Sequence, residues 1–324
     1  MLKINTHQFG LKFIGLALLV AMLIGCTGGS DNSDVRTEDD DENTAIDSTE
    51  TDLTETDGTS DSGGMVDSAA TTRFTVIGDV PYDDAQRSSL IALIDAHNAR
   101  AKSEFVVHVG DIKPGADACD ESVYEDVHGI LRNFETPTFI VLGDNEYNDC
   151  DRPEEALVLW NQYFLHFNEN WDFPQEVEYQ DKRPENFAWV QKDVLFLGLN
   201  LVGSSVHDEA EWKQRLTDDA DWVEEKFSEH GENIEATVLF GHANMTEAGP
   251  EKFVLFTDRF RAAAKTLGKP VLYMQGDGHF WFRNRPWPEQ NILRVQIEGG
   301  GEAVQVIVNP DLEEPFDFNR EFLE

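Results

Sequence analysis

The sequence predicts an α/β fold whose core is a set of parallel strands joined by helical crossovers. Two observations carry this prediction. Five short apolar runs each end in a glycine followed by aspartate or histidine, which is typical of buried strands: residues 74–77, 105–109, 138–142, 237–240 and 271–275. Segments with helical spacing of apolar residues lie between the first three of these strands, and this alternation of strand and helix is typical of a parallel sheet.

The remaining elements are predicted from the same periodicities. Helices are expected over residues 84–102, 122–134, 153–167 and 209–227, the third with Pro153 in its first turn. Residues 171–184 are expected to be irregular, and 187–190 and 194–200 to be paired strands. The apolar runs 292–297 and 303–308 flank three glycines and are expected to form a terminal hairpin that closes a second sheet.

The N-terminal segment predicts export. Lys3 and Lys12 are positive, residues 13–24 are apolar, and Leu-Ile-Gly-Cys over residues 23–26 resembles a bacterial lipobox. Cleavage before Cys26 and lipid attachment to it would make residues 1–26 a signal peptide and anchor the chain in the bacterial cell envelope. An ordinary secretory signal with an incidental cysteine is the alternative.

Residues 27–72 are predicted to be a disordered linker, because they are rich in Asp, Glu, Ser, Thr and Gly and contain almost no large apolar residue. Residues 73–324 then form one domain. The formal net charge of −38 at pH 7 argues against nucleic acid as a partner, because binding to phosphate backbones needs a basic surface. Membrane attachment is therefore expected only through Cys26.

The residues that follow the strand-ending glycines predict a polynuclear metal site. Each glycine lets the chain turn sharply, so that the next side chains point into a shared crevice beyond the strand ends. Aspartate and histidine are ligands for divalent cations. The candidate ligands are Asp79, Asp111, Asp144, His242, Asp277 and His279. The alternative is that the aspartates cap helices and bind no metal.

The order of these motifs resembles the calcineurin-like metallophosphoesterase superfamily over most of residues 73–324. Gly-Asp-x-Pro-Tyr, Gly-Asp-Ile-Lys, Gly-Asp-Asn-Glu and Gly-Asp-Gly-His resemble a divergent branch of it. The resemblance implies an α/β/β/α sandwich, in which two mostly mixed β-sheets lie between helices. It also implies a dinuclear metal centre that hydrolyses phosphate esters or anhydrides.

The resemblance assigns the candidate ligands to two cations. Asp79, Asp111 and His279 would bind one, and Asp111, Asp144, His242 and Asp277 the other. Pro81 occupies the position of the family's first histidine and cannot bind metal. The oxygen-rich ligand set favours two divalent ions from the group Mn, Fe, Mg, Zn or Ca.

The resemblance places Asn145 where the family has its catalytic histidine. Asn145 cannot donate a proton to a leaving group, and loss of a general acid typically costs ~10²–10⁴-fold in rate. A preference for good leaving groups is expected, with a non-catalytic metal-binding module of the cell envelope as the alternative. Glu146, His108 and His207 are candidate substitutes, although a packed core position is favoured for His108.

Four further residues complete the candidate site. Lys113 is a candidate phosphate ligand, with a solvated lysine as the alternative. Arg283 is a candidate phosphate clamp in the aromatic run 280–283, which otherwise reads as a strand with its aromatic side chains in the core. Cys119 and Cys150 would remain after lipidation of Cys26, and an exported protein predicts a disulfide between them. Two free thiols are the alternative.

Overall fold

The computed structural model describes residues 70–247 and 249–324. The predicted signal peptide, the lipidation site Cys26 and the linker up to residue 69 lie outside the described residues. Within the described ranges, every helix is too short or too polar to cross a membrane.

The elements of the domain follow one another in a largely alternating order. The strands are β1 (Thr72–Ile77), β2 (Phe105–His108), β3 (Thr138–Ile140), β4 (Glu178–Tyr179), β5 (Phe187–Gln191), β6 (Val194–Gly198), β7 (Ala236–Phe240), β8 (Val271–Gln275), β9 (Phe282–Asn284), β10 (Ile292–Gln296), β11 (Val304–Val308) and β12 (Phe316–Asn319). The α-helices are α1 (Asp84–Arg100), α2 (Glu121–Leu131), α3 (Pro153–Phe164), α4 (Glu209–His230) and α5 (Val254–Leu267). Short 3₁₀ helices occupy Phe167–Asn170 and Pro250–Phe253.

These strands form two mixed sheets. The first has the order β12-β11-β1-β2-β3, in which β1, β2 and β3 are parallel. The second has the order β4-β5-β6-β7-β8-β10-β9, in which β6, β7, β8 and β10 are parallel. Helices α1 to α3 cover the outer face of the first sheet, and α4 and α5 cover that of the second. The predicted four-layer α/β/β/α fold is confirmed.

The central strands are apolar along their whole length because both of their faces are buried. In β6, Val194 and Phe196 face the core between the sheets, whereas Leu195 and Leu197 face the helices α4 and α5. Successive side chains of a strand point to opposite faces, so a strand that is covered on both sides shows no polar alternation. This is why the five runs could be recognised as buried strands.

Local signals set the helix starts. The Asp83 side chain accepts a hydrogen bond from the backbone N–H of Gln86 and caps α1, and Asp208 caps α4 in the same way. Pro153 lies in the first turn of α3, as predicted. The four predicted helices are confirmed to within a few residues. Of the four apolar residues that gave the helical spacing of α1, Leu90, Leu93 and Ile94 are buried, whereas Ile91 is 39% exposed.

The predicted C-terminal hairpin is wrong. β10 lies parallel to β8 in the seven-stranded sheet, and β11 lies antiparallel to β1 in the five-stranded sheet. Gly299, Gly300 and Gly301 carry the chain from one sheet to the other with φ angles of 74°, 68° and 95°. Glycine adopts this left-handed conformation at little cost, so the glycine run serves a crossover rather than a hairpin turn.

Helix α5 was not predicted, although a signal for it exists. Phe256, Phe260 and Ala264 recur every four residues and are all buried against the second sheet. The short strands β4 and β12 were also missed, because they contain no fully buried residue and lack the continuous apolar pattern of the central strands. Strand β9 overlaps the run 280–283, for which a strand was the alternative to a phosphate clamp. Of the aromatic side chains expected in the core there, Trp281 packs against it, whereas Phe280 is 55% exposed.

Candidate metal centre

The candidate ligands meet because both sheets end at the same edge of the sandwich. Asp79, Asp111 and Asp144 follow β1, β2 and β3 of the first sheet, whereas His242, Asp277 and His279 follow β7 and β8 of the second. A hydrogen bond joins the two groups, since the backbone N–H of Asp277 donates to Oδ1 of Asp79 at 2.9 Å. The crevice is therefore shared by loops from both sheets.

Five of the six predicted ligands form two overlapping groups that could each hold a cation. The first contains Asp79, Asp111 and His279, the second Asp111, Asp144 and His242, and the ligand atoms within each group lie within 4.8 Å of one another. His279 Nε2 lies 3.3 Å from Asp79 Oδ1. His242 Nε2 lies 3.3 Å from Asp111 Oδ1 and 3.5 Å from Asp144 Oδ1. Asp111 belongs to both groups, as its expected bridging role requires.

Asp277 lies beside these groups but in neither. Its Oδ2 accepts a hydrogen bond from the backbone N–H of Asn244 at 3.1 Å. A Cβ atom at Gly203 would lie 2.8 Å from Asp144 Oδ2 and 3.5 Å from Asp277 Oδ2, so a side chain there would crowd both carboxylates. The assignment of Asp277 as a metal ligand stays a prediction.

The buried polar atoms of the site fit divalent cations. Asp79 Oδ2 and His242 Nε2 are buried and have no hydrogen-bond partner. His242 Nδ1 contacts the carbonyl oxygen of Val109 at 2.8 Å, which assigns a ring proton to Nδ1 and directs Nε2 at the carboxylates of the second group. Buried polar atoms without partners are costly, and a cation in each group would satisfy both atoms. The carboxylate and imidazole donors suit hard and borderline divalent ions.

Without a cation, protons must offset the charge of the clustered carboxylates. Burial raises the pKa of Asp111 to about 6. Burial lowers the pKa of His242, but the carboxylates of Asp111 and Asp144 outweigh it and raise the pKa well above its usual value. Because metal ligands must lose their protons, cation binding would release protons from these groups.

The backbone at the site adopts conformations that most residues avoid. Asp79, Asp111, Asp277 and His279 have φ angles of 52°, 62°, 72° and 56°. Left-handed backbone is uncommon outside glycine and accumulates at functional sites, where the surrounding structure imposes it. Glycine at position 143 lets two backbone segments of the site come close together, since a Cβ there would lie 2.1 Å from the backbone nitrogen of Asp111.

Glu146 lies beneath the candidate centre and supports it. Its side chain is fully buried, and the carboxylate accepts hydrogen bonds from the backbone N–H groups of Gly143 at 2.6 Å, Asp111 at 3.2 Å and Ile112 at 3.2 Å. Burial, together with the nearby Asp111, raises the pKa of Glu146 to about 7. These contacts support a positioning role rather than the expected contact with a leaving group.

Asn145 lies directly on the shared carboxylate. Its Nδ2 donates to Asp111 Oδ2 at 2.6 Å, and its backbone N–H donates to Asp111 Oδ1 at 3.0 Å. The side chain is partly exposed at the mouth of the site. A role of Asn145 in catalysis stays a prediction.

The two candidate phosphate ligands differ in their exposure to solvent. Lys113 is 2% exposed, and its Nζ donates to the carbonyl oxygens of Pro114 at 3.0 Å and Asp117 at 2.8 Å. The alternative of a solvated lysine is therefore wrong, and the ammonium group is used within its own loop. Arg283 is exposed on β9, and its contact with a substrate stays a prediction.

The two histidines considered as substitutes occupy different environments. His108 is fully buried, its Nε2 contacts the carbonyl oxygen of Val80 at 3.1 Å, and its Nδ1 accepts from the N–H of Gly110 at 3.2 Å. Burial lowers the pKa of His108 to about 4. The core position favoured for His108 is confirmed. His207 is exposed in the loop before α4.

The disulfide between Cys119 and Cys150 is confirmed, with a Cα–Cα distance of 5.9 Å. It joins the loops that follow β2 and β3. Both sulfur atoms lie near the carbonyl oxygen of Asn145, at 3.6 Å and 3.7 Å. The bridge therefore braces the loop that carries Asn145 and Glu146.

Tyr82 is a site residue that the sequence reasoning missed. Its hydroxyl donates to Asp111 Oδ2 at 2.6 Å and lies 3.2 Å from His279 Nε2. Burial, followed by the charge of Asp111, raises the pKa of Tyr82. A signal was present, because Tyr82 ends the Gly-Asp-x-Pro-Tyr motif three residues after Asp79.

Comparisons with known proteins give one family match. The model of the calcineurin-like phosphoesterase family matches residues 72–279. A search of curated proteins finds no match.

Three solved structures are similar to the chain. GAP50, described as the anchor in the inner membrane complex of Plasmodium, is 12% identical over 77% of this chain and 88% of that chain, with a TM-score of 0.48. A dimetal phosphatase from Danio rerio is 13% identical over 72% of this chain and 92% of that chain, with a TM-score of 0.47. The purple acid phosphatase PPD1 from yellow lupin (Lupinus luteus) seeds is 11% identical over 76% of this chain and 53% of that chain, with a TM-score of 0.49.

Proposed function

The chain belongs to the calcineurin-like phosphoesterase family, and from this membership we propose that it hydrolyses phosphate esters or anhydrides at a dinuclear metal centre. One observation carries the proposal. Two groups of potential ligands share Asp111, and each contains a buried atom without a partner, Asp79 Oδ2 in the first and His242 Nε2 in the second.

The residues present define what the chain itself contributes. Two neighbouring divalent cations supply Lewis-acid stabilisation of phosphoryl charge and a nucleophile derived from water. Asp79, Asp111 and His279 would hold one, and Asp111, Asp144 and His242 the other. Four aspartates, with Asp277 included, carry a charge of −4 that two divalent cations balance, and this charge balance supports loading of both sites.

The leaving group would determine which substrates react well. Asn145 is a neutral amide and cannot supply the proton that a departing alkoxide needs. Glu146 is buried beneath the site, with its carboxylate bonded to backbone N–H groups. Substrates with weakly basic leaving groups, such as aryl phosphate esters and phosphoanhydrides, are therefore expected to react fastest.

A second candidate is a metal-binding module of the same fold without hydrolase activity. The observation that favours it is the position of Asn145, whose amide donates a hydrogen bond to the shared carboxylate of Asp111 and cannot protonate a leaving group. Such a protein would bind phosphorylated ligands or a partner of the cell envelope.

We also propose that the chain is exported and anchored to a membrane by lipid on Cys26. The lipobox-like sequence ending in Cys26 supports them, and so does the Cys119–Cys150 disulfide, because disulfides persist in oxidising compartments. Mass spectrometry of the mature chain is expected to show an N-terminal Cys26 that carries lipid. In a Cys26→Ser variant the lipid mass should be lost, and detection of the same lipid in this variant would contradict the assignment.

The function is tested by metal analysis of the full chain purified without chelator, followed by assays with an aryl phosphodiester, an aryl phosphomonoester and a phosphoanhydride. Near two equivalents of divalent metal and hydrolysis of at least one substrate are expected. Asp111→Asn should lose both metals and the activity, whereas Asp126→Asn, at an exposed ion pair with Arg87, should lose neither. Two metals without hydrolysis would favour the binding module, and absence of metal would contradict both candidates.

A further inference from the structure

A buried arginine is bonded to the loop that follows His242. Arg294 lies on β10, and its side chain is fully buried. Its Nη1 donates to Asn244 Oδ1 at 2.8 Å, and its Nη2 donates to Glu247 Oε1 at 3.1 Å. Its Nε donates to Asn284 Oδ1 on β9 at 3.0 Å. The guanidinium therefore joins two neighbouring strands of the second sheet to one loop.

A charged side chain is costly at this position of the strand. Ile292, two residues earlier on β10, lies in the apolar core, and alternate residues of a strand lie on the same face. A buried charge needs partners, and among the described residues the only carboxylate paired with Arg294 is that of Glu247, which is itself 56% exposed. The ring of Phe282 faces the guanidinium at 4.6 Å. The planar fork of arginine can hold several acceptors at fixed angles, so its contacts explain the residue better than its burial does.

The loop that Arg294 holds also contacts the candidate centre. The backbone N–H of Asn244 donates to Asp277 Oδ2 at 3.1 Å. The side chain of Asn244 closes the loop, because its Oδ1 accepts from the backbone N–H of Glu247 at 3.2 Å and its Nδ2 donates to Glu247 Oε2 at 3.0 Å. The same Oδ1 accepts from Arg294. Asn244 thus connects the buried arginine to the carboxylate of Asp277.

The hydrogen bond from Asn244 fixes the orientation of the Asp277 carboxylate. A Cβ atom at Gly203 would lie within 3.5 Å of both Asp277 Oδ2 and Asp144 Oδ2, so these two oxygens face the same small space. Groups that are hydrogen-bonded to metal ligands orient them, and loss of such a group typically lowers metal affinity about 10–100-fold. The loop therefore controls a carboxylate at the edge of the second ligand group.

We propose that Arg294 is a positioning residue for the second cation. It holds the loop so that Asn244 keeps the carboxylate of Asp277 beside the second ligand group, where it serves as a fourth ligand. The inference rests on the proposed dinuclear centre and adds a residue outside the centre that sets the affinity for one of its two cations. The first ligand group does not include the Asp277 carboxylate, so its cation should not depend on Arg294.

Calorimetric titration of the full chain, stripped of metal, with Mn²⁺ tests the proposal. Arg294→Met keeps an unbranched stem and removes the fork of donors. Arg285→Met removes an exposed guanidinium that pairs with Glu314 and is the matched control. In Arg294→Met the affinity for one Mn²⁺ should fall about 10–100-fold, while the affinity for the other stays unchanged. Arg285→Met should bind both ions like the unmodified chain.

A double-mutant cycle distinguishes positioning of Asp277 from a general disturbance of the domain. Arg294→Met is combined with Asp277→Ala, which removes the carboxylate and keeps the backbone N–H that is bonded to Asp79. If Arg294 acts through Asp277, the double variant should lose no more Mn²⁺ affinity than Asp277→Ala alone. A further loss in the double variant would show that Arg294 acts elsewhere and would overturn the proposal.

Asn244→Ala tests the same connection from its other side. It keeps the backbone N–H and removes the oxygen to which Arg294 donates, so it should also lower the affinity for one Mn²⁺. This variant decides the question if circular dichroism shows that Arg294→Met is not folded. Unchanged binding of two ions in a folded Arg294→Met or Asn244→Ala variant would overturn the role of Arg294 and leave the dinuclear centre intact. An unmodified chain that binds neither Mn²⁺ nor another divalent cation would contradict the centre itself.

Discussion

The imidazole Nδ1 of His242 lies 2.8 Å from the carbonyl oxygen of Val109 and donates its proton to it. Val109 directly follows β2 of the five-stranded sheet, whereas His242 follows β7 of the seven-stranded sheet. One hydrogen bond between the sheets therefore orients the ring and leaves Nε2 free for a cation. The second ligand group depends on how the two sheets pack.

His242→Ala should remove one cation and leave the other. His242 belongs to the second ligand group only, whereas Asp79 and His279 hold the first without it. Elemental analysis is expected to give about one equivalent of metal per chain for this variant, against two for the unmodified chain. His207→Ala, at an exposed histidine, is the matched control and should keep both. Two equivalents in His242→Ala would contradict the assignment.

Glu146→Gln should destabilise the folded domain. The carboxylate accepts three backbone N–H bonds, and the amide group of glutamine presents one N–H₂ end to the same donors. A buried polar group left without a partner costs ~1–3 kcal/mol, so the free energy of unfolding in urea should fall by about that amount. Glu125→Gln, on the exposed side of α2, should change it by less than ~0.5 kcal/mol. Equal stability of the two variants would count against the positioning role.

Removal of the disulfide should also lower stability. Cys119 and Cys150 are separated by 31 residues, and closing a loop of this length in the unfolded chain corresponds to about 3–4 kcal/mol in the chain-entropy description. Denaturant unfolding of the Cys119→Ser/Cys150→Ser variant measures this loss. A reductant should destabilise the unmodified chain by a similar amount and leave the double variant unaffected. If reductant has no effect on the unmodified chain, the bridge does not contribute to its stability.

The burial of Asp219, which is not among the candidate metal ligands, predicts that the stability of the domain depends on pH. Asp219 is fully buried in α4, and burial raises its pKa to about 8. The charge of Glu185 acts in the same direction. A hydrogen bond from Asn186 to Oδ1 at 2.7 Å and the charges of Arg215 and Arg183 oppose the shift but do not cancel it. The folded state keeps this proton up to a higher pH than the unfolded state does. The contribution of Asp219 to stability is therefore present at low pH. It is lost as pH rises from about 4 to about 8.

The slope is at most ~1.4 kcal/mol per pH unit over this interval. Asp219→Asn stays neutral at all pH values, so its free energy of unfolding should depend less steeply on pH than that of the unmodified chain between pH 4 and 8. Asp95→Asn, at an exposed position of α1, should retain the original slope. Parallel curves for the unmodified chain and Asp219→Asn would show that Asp219 is ionised in the folded state.

Much of the fold was readable from local patterns. The buried strands, four helices and Pro153 in a first turn were all predicted, because strand periodicity, helical spacing and turn chemistry act within a few residues. The order of ligand residues after strand-ending glycines was readable for the same reason. The disulfide was predicted because the expected lipidation of Cys26 would leave two cysteines with one possible pairing.

What the sequence alone could not determine depends on contacts between distant segments. Gly299–Gly301 indicated a turn, but which sheet each flanking strand joins depends on the packing of both sheets. The positions of Glu146 and Lys113 followed from burial, because a charged side chain looks the same in the sequence whether it faces a substrate or a ring of backbone groups.

Tyr82 shows the same limit most clearly. Its motif is visible in the sequence, yet its meaning lies in distances to Asp111 and His279, which come from other strands and from both sheets. The sequence thus determined which residues stand at the strand ends, because that is a local property of the chain. Only the tertiary structure decided which of their atoms meet, because those separations are set by the packing of two sheets against each other.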